Sequence, residues 1–169
     1  MSLSLLVLAL VTLQRLAELA LARRNTARLK AQGAVEVGAG HYPLIVALHA
    51  AWLAGLWLLA WNVAPSLVWL AIFAVLQMLR LWVLASLGQR WTTGILVTPG
   101  APLVRRGPYR FMAHPNYVVV AAEIAVLPVA YGLYWYALAF SLVNAAVLAV
   151  RIKAENEALA RLAAPAPPC

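Results

Sequence analysis

Long apolar runs separated by short polar segments dominate the chain. A transmembrane helix needs roughly 20 mostly apolar residues. Five runs meet or approach this length, at about 3–22, 43–61, 67–87, 117–129 and 134–150. The fourth run is short and has Pro128 near its end, and Gly132 supplies a turn into the fifth. The pattern predicts an all-α, polytopic integral membrane protein with about five transmembrane helices.

Composition agrees with this reading of the pattern. Of the 169 residues, 65% are hydrophobic and 11% are charged, whereas soluble domains carry about 25% charged residues. The only cysteine, Cys169, cannot form an internal disulfide. Positive charge follows the first apolar run instead of preceding it, so we expect a retained span and not a signal peptide. We predict one transmembrane domain over 1–162 and a disordered, proline-rich tail over 163–169.

Basic residues set the expected orientation. They fall in two connections and the C-terminal segment: Arg23, Arg24, Arg28 and Lys30; Arg90, Arg105, Arg106 and Arg110; Arg151, Lys153 and Arg161. Positive segments stay in the cytoplasm, which predicts an external N-terminus and a cytoplasmic C-terminus. The formal charge of +8 does not indicate a nucleic-acid partner, because the charges are not spread along one exposed face.

Four charged residues lie within the predicted spans. Arg15 and Arg80 are each about two turns from the inner end, close enough to snorkel towards water, and we expect this of Arg80. For Arg15 and Glu18 we expect a buried polar contact between helices. Glu123 is too short to snorkel, so it must pair with a cation, for which Arg80 and Arg151 are the candidates, or remain protonated. A wall of a ligand site is the alternative role for Glu123.

The connection over 88–116 is too long for a simple loop. Proline and glycine exclude a regular helix through most of it, which leaves main-chain groups for a polar ligand. Pro115 can begin the next helix, so Asn116 and Tyr117 would lie at a helix N-terminus that favours a carboxylate. Most tryptophans suit an aromatic belt, but Trp91 lies in this connection and could pack on a ligand.

The last apolar run continues into a polar helix. Asn144, Arg151 and Glu155 are spaced by seven and four residues, so they share one helix face at the inner membrane boundary. The Arg151–Glu155 spacing also suits simple support of the helix. The histidines His41 and His49 do not have the spacing of a metal pair, and no metal site is predicted.

Two motifs carry a family resemblance. "GPYRFMAHPNY", followed by "RIKAENEAL", resembles the isoprenylcysteine carboxyl methyltransferase family, whose pattern is Gly-x-Tyr, Arg-His-Pro-x-Tyr, then Arg-x-x-x-Glu-Glu on a helix. With "QRLAEL", "RRN" and "HYPLIVALHAAW", the whole chain is similar to the short, five-span bacterial branch. The resemblance implies S-adenosylmethionine as cofactor and a bacterial inner membrane as location.

It also implies a cofactor pocket on the cytoplasmic side, built by the region 100–160. Glu155 would contact polar groups of the cofactor, and Arg151 would hold an anionic group of the substrate near the methyl; these two are the expected catalytic residues. The other expected pocket residues are the main chain of Pro102, Leu103 and Val104 and the side chains of Tyr109, His114, Pro115, Asn116 and Tyr117. The chain departs from the family pattern at Ala113, where the family has arginine, and at Asn156, where it has a second acid.

The resemblance implies methyl transfer to a carboxylate or hydroxyl oxygen of a lipid-like acceptor. Prenylcysteine-type acceptors and long-chain alkylpyrone or alkylphenol acceptors both remain open. A carboxylate needs no general base, whereas a hydroxyl needs one, for which His114 and Glu123 are candidates; Glu123 is also a candidate substrate-binding residue. The alternatives are a phospholipid N-methyltransferase, a lipid reductase with a nicotinamide cofactor, or a non-catalytic membrane protein.

Overall fold

The structure, a computed structural model, describes residues 2–102 and 104–162. Within them it has five α-helices: α1 (Leu3–Ala31), α2 (Tyr42–Ala60), α3 (Leu67–Leu87), α4 (Pro115–Ala130) and α5 (Tyr134–Leu162). Four are long and apolar enough to cross a membrane, and α4 is a shorter apolar helix. The predicted helical, polytopic membrane architecture is confirmed. The predicted disorder of 163–169 lies outside the described residues.

Helices α1 and α5 run well beyond their apolar segments. No proline or glycine interrupts α1 before Gly33, and Arg28 and Lys30 in its last turn suit the partial negative charge of a helix C-terminus. Helix α5 is one continuous helix of 29 residues, as its pattern predicts. Both helices therefore project from the apolar layer at the same end of the bundle as the long connection after α3.

A narrow core holds the helices together, while most large apolar side chains face outward, as expected for helices in lipid. The fully enclosed Trp52 of α2 is central to it, and its indole Nε1 donates a hydrogen bond to the carbonyl of Ile124 in α4 at 3.2 Å. Trp52 is thus a core residue and not part of an aromatic belt. The core comprises Leu8, Val11, Trp52, Leu56, Ala60, Phe73, Val120, Ile124, Leu127 and Tyr131.

Four charged residues form a buried ion cluster across α1, α3 and α4. Arg80 donates to Glu18 at 2.5 Å through Nε and to Glu123 at 2.9 Å through Nη1. Arg15 donates to the same Glu123 oxygen at 2.7 Å and to Glu18 at 3.1 Å. The predicted snorkelling of Arg80 is wrong, because the carboxylate of Glu123 has no exposed surface and needs cationic partners within the bundle. Arg15 and Glu18 make the predicted buried contacts with other helices. Of the two partners predicted for Glu123, Arg80 contacts its carboxylate and Arg151 lies elsewhere, beside Tyr117.

Two short strands, which the sequence analysis missed, pair in an antiparallel sheet. Strand β1 (Val35–Val37) follows α1 and β2 (Ile95–Val97) follows α3, with Val35 opposite Val97 and Val37 opposite Ile95. Ile95 and Val97 are buried with Ala158 of α5. The sheet therefore fastens the long connection against the polar part of α5.

Candidate active site

The N-terminus of α4 lies against the polar half of α5. Pro115 is the first residue of α4, as predicted, and His114 precedes it with an extended φ of −128°. A proline fits this position because the first helical N–H needs no intrahelical partner and the ring fixes a helical φ. The helix consequently presents Tyr117, on its first turn, towards Arg151 and Glu155 of α5.

The hydroxyl of Tyr117 joins the two charged residues of α5. Nε of Arg151 donates to it at 2.7 Å, and the hydroxyl donates in turn to the Glu155 carboxylate. Nη2 of Arg151 donates to the carbonyl of Thr93 at 2.6 Å. The Arg151 side chain, 6% exposed, is therefore held from two elements, and its orientation is set by the site and not by the helix alone.

His114 extends this arrangement. Its ring stacks on that of Tyr117 with centroids 5.2 Å apart. Its Nε2 lies 3.2 Å from Oδ1 of Asn156, within hydrogen-bonding distance. Nδ1 lies 3.8 Å from the Glu155 carboxylate. Asn156, one of the two departures from the family pattern, is thus a direct partner of the motif histidine.

These side chains face a cavity of about 480 Å³. Its walls include eight of the predicted residues: Pro102, Val104, Tyr109, His114, Asn116, Tyr117, Arg151 and Glu155. Pro115 shapes the turn but does not line the cavity, and Leu103 lies outside the described residues. Glu123 is not brought to the site; it lies in the buried ion cluster. The structure therefore gathers most of the predicted site and removes Glu123 from it.

Several side chains in this cavity suit a polar ligand. Nε1 of Trp91 and Oδ1 of Asn116 are buried without a hydrogen-bond partner among the described residues. Burial raises the pKa of the Tyr109 phenol, and the negative charge of Glu155 raises it further, so this hydroxyl stays protonated at neutral pH. A donor, an acceptor and a neutral phenol thus stand beside the carboxylate of Glu155.

Two residues that hold the site in place were not predicted from the sequence. Thr93 contributes a main-chain carbonyl, which no side-chain pattern can reveal. Asn25 of α1, 4% exposed, donates to the carbonyls of Gly88 and Trp91 at 3.3 and 2.7 Å. It ties the start of the long connection to α1. Trp91 was recognisable as an indole in a polar segment, and it does line the cavity.

Comparisons with known proteins agree with the two motifs. The family model described as "Isoprenylcysteine carboxyl methyltransferase (ICMT) family" matches residues 69–161. The chain is 46% identical over 159 residues to the uncharacterised protein YpbQ of Bacillus subtilis, a match that covers 91% of this chain and 95% of that protein. No solved structure matches the chain significantly.

Proposed function

The chain belongs to the isoprenylcysteine carboxyl methyltransferase family, and from this premise we propose that it transfers a methyl group from S-adenosylmethionine to a lipid-like acceptor. The acceptor atom is a carboxylate or hydroxyl oxygen, of the prenylcysteine type or of the alkylpyrone or alkylphenol type. The observation that carries the proposal is the cavity in which Tyr117 joins Arg151 to Glu155.

The residues around this cavity fit the cofactor. A volume of about 480 Å³ lies within the usual range of ligand pockets, roughly 300–1,000 Å³. S-adenosylmethionine carries an amino group, a carboxylate and a sulfonium beside an adenosine. The unpartnered groups of Trp91 and Asn116 and the acidic Glu155 offer the matching donor, acceptor and negative charge. When bound, the cofactor supplies a methyl group that its sulfonium has already activated.

We assign cofactor binding to the predicted set. Glu155 holds a positively charged group, Asn116 and Tyr109 hydrogen-bond polar groups, and His114 and Tyr117 offer stacked ring faces. Pro115 fixes the turn that presents them. Pro102 and Val104, which line the cavity, are assigned to one side of it.

Arg151 is assigned to the acceptor. The Tyr117 hydroxyl and the Thr93 carbonyl use two of its N–H groups and fix the guanidinium plane. The remaining N–H groups suit an anionic oxygen of the acceptor. Holding that oxygen in a defined position lowers the entropic part of the barrier. A carboxylate acceptor then requires no base from the chain.

A hydroxyl acceptor requires loss of a proton. His114 is the base we assign for that case, because its imidazole lies within the cavity between Tyr117 and Asn156. Glu123 is not assigned as a base or as a substrate contact, since Arg15 and Arg80 hold its carboxylate within the buried ion cluster.

We place the cavity on the cytoplasmic side of a bacterial inner membrane, with the N-terminus outside. The support is the basic character of the segments at this end of the bundle. In this arrangement the soluble cofactor enters from the cytoplasm and the lipid acceptor enters between helices.

The test is calorimetric binding of S-adenosylhomocysteine to the detergent-purified protein. We expect saturable binding with a micromolar Kd, weakened at least tenfold by Glu155→Gln. The matched control is Glu157→Gln, an exposed carboxylate two residues further along the same helix, which should leave Kd unchanged. A folded wild-type protein that binds NADPH but not S-adenosylhomocysteine would instead support a reductase.

The acceptor class needs a second experiment. Transfer of a radiolabelled methyl group is measured to N-acetyl-S-farnesylcysteine and to a long-chain alkylpyrone. Label on the first supports a prenylcysteine-type carboxylate, and label on the second supports a hydroxyl acceptor. In the second case, His114→Gln should reduce transfer much more than it reduces S-adenosylhomocysteine binding.

A further inference from the structure

A second cavity, of about 670 Å³, adjoins the first. It lies between the last turns of α1, the turn that follows α3, Thr98, Ala101 and the segment 104–106. Four arginines line it: Arg28, Arg90, Arg105 and Arg106. We refer to it as the arginine cavity. Seven of its twelve lining residues also line the first cavity, among them Arg90, Val104 and Arg105, whereas Arg28 and Arg106 line the arginine cavity alone.

Among the described residues, no glutamate lines the cavity to balance these four positive charges. The chain has five acidic residues, all described, and none lines the arginine cavity. The nearest acid along α1 and its following strand, Glu36, is paired with Lys30 at 2.5 Å. Two helix C-termini adjoin the cavity, but each supplies only about half a negative charge. A substantial positive charge is left for an external anion.

Two of the arginines are fixed in place. Nη1 of Arg90 donates to the carbonyl of Pro102 at 2.7 Å, and Nε of Arg106 donates to the carbonyl of Ser86 at 2.8 Å. Each uses one N–H group in this way and keeps others that a ligand can reach. Basic residues that served orientation alone would need no such anchoring around a shared cavity.

The four arginines that line the cavity indicate which class of ligand it suits. A guanidinium is a planar fork of N–H donors that matches the oxygens of phosphate. The cavity also lies at the end of the bundle where the apolar helix segments give way to polar ones, which is the level of lipid headgroups. We propose that the arginine cavity binds the phosphate group of an anionic ligand, supplied by a lipid headgroup or by a soluble phosphomonoester.

Calorimetry with two probes tests the proposal. Dioctanoyl phosphatidic acid and glycerol 3-phosphate are each titrated into the detergent-purified protein. The cavity variant is Arg28→Gln/Arg106→Gln, whose two arginines line the arginine cavity and not the first one, and we expect it to weaken phosphatidic acid binding at least tenfold. The matched control is Arg23→Gln/Arg24→Gln, which removes the same charge from exposed positions of α1 outside the cavity. We expect less than a twofold change there.

The two probes separate the sources of phosphate. If glycerol 3-phosphate binds as tightly as the lipid and displaces it, the ligand is a soluble phosphomonoester. If the lipid binds and glycerol 3-phosphate does not displace it, the ligand is a lipid headgroup. If the cavity variant and the control lose binding equally, the lipid is attracted by the overall positive charge of this surface and not by the cavity, and the proposal is overturned. Failure of both probes to bind folded wild-type protein would also overturn it.

Two further measurements protect the interpretation. Arg28→Lys/Arg106→Lys keeps the charge and removes the planar guanidinium, so it should fold normally and lose part of the affinity. Arg28→Gln, which does not line the first cavity, should leave S-adenosylhomocysteine binding unchanged. If it weakens S-adenosylhomocysteine binding and spares phosphatidic acid, the arginine cavity belongs to the cofactor pocket. Phosphatidic acid binding thus tests the arginine cavity, and S-adenosylhomocysteine binding tests the cofactor pocket, so either proposal can fail without the other.

Discussion

The hydroxyl of Tyr117 donates a hydrogen bond to the carboxylate of Glu155, 38 residues later in the chain and on a different helix. The same hydroxyl accepts from Arg151. One phenol thus bridges an arginine and a glutamate on neighbouring turns of α5, and the described side chains form no direct ion pair between them. The two charged groups remain directed towards the cavity, where each can act on a different ligand.

Replacing Tyr117 by phenylalanine removes this shared hydroxyl and keeps the ring. Hydrogen bonds to charged groups contribute about 1.5–3 kcal/mol, so we expect S-adenosylhomocysteine binding to weaken roughly tenfold to a hundredfold. Tyr136→Phe is the matched control, because its hydroxyl donates to the Trp52 carbonyl at 2.7 Å, away from the cavity. Calorimetry should show weakened binding for Tyr117→Phe alone; equal affinities would contradict the assigned role.

Gly107 begins the short turn Gly107–Arg110, which carries Tyr109. Its φ of +58° is unfavourable for other residues, and a Cβ there would meet the side chain of Ser86 and lie 3.2 Å from Nε1 of Trp82. We expect Gly107→Ala to displace the turn and to weaken S-adenosylhomocysteine binding at least fivefold.

Gly132→Ala is the control for backbone strain alone. Its φ is +74°, but a Cβ there meets nothing within 4 Å, and it lies between α4 and α5 away from the cavity. This change should cost roughly 1–2 kcal/mol of stability and leave binding intact. Thermal unfolding and calorimetry together separate the two effects; a binding loss in Gly132→Ala would mean that backbone strain anywhere disturbs the site.

Glu123→Gln should destabilise the fold strongly. It leaves Arg15 and Arg80 facing a neutral amide inside the bundle, and breaking a buried ion pair from one side costs about 3–5 kcal/mol. Arg15→Met/Glu123→Gln restores charge balance and should unfold at a higher temperature than Glu123→Gln alone. Glu157→Gln, at an exposed site, should unfold like the wild type. A wild-type unfolding temperature for Glu123→Gln would show that the cluster contributes little.

Tyr109 should titrate above the ordinary range of tyrosine. Burial and the charge of Glu155 raise its pKa above the unfolded value of about 10. The folded protein therefore holds the phenolic proton more tightly, so this contribution to stability is complete below about pH 10 and is lost as pH rises further. The difference in phenolate absorbance between wild type and Tyr109→Phe should appear only above pH 10. A difference centred at pH 10 would contradict the burial.

The spans and the polar helix α5 were predictable because each follows from a local rule. Lipid requires long apolar helices, and a proline fits the first turn of a helix, which places Pro115. Arg151 and Glu155 were found together because four residues separate them on one helix. Their convergence with His114 and Tyr117 came from the family resemblance, not from spacing.

Contacts between helices were only partly predictable. Glu123 was expected to need a cation, and Arg80 was one of two candidates, but only the packing of three helices shows that Arg80 is the partner and that it also reaches Glu18. The sheet was missed because three-residue strands carry little signal, although "VEV" and "ILV" are rich in β-branched residues. Their pairing depends on two segments that are far apart in the chain.

The buried ion cluster also has a consequence for how the protein enters the bilayer. Within its apolar part, α1 carries one arginine and one glutamate, Arg15 and Glu18, whose charges cancel, whereas α3 carries Arg80 and α4 carries Glu123. Each of these charges costs about 2.5–3.5 kcal/mol to insert near the centre of a lone helix. The charges of Arg80 and Glu123 cancel only when α3 and α4 are packed together, so we expect association of these two helices to lower the cost of placing both in lipid.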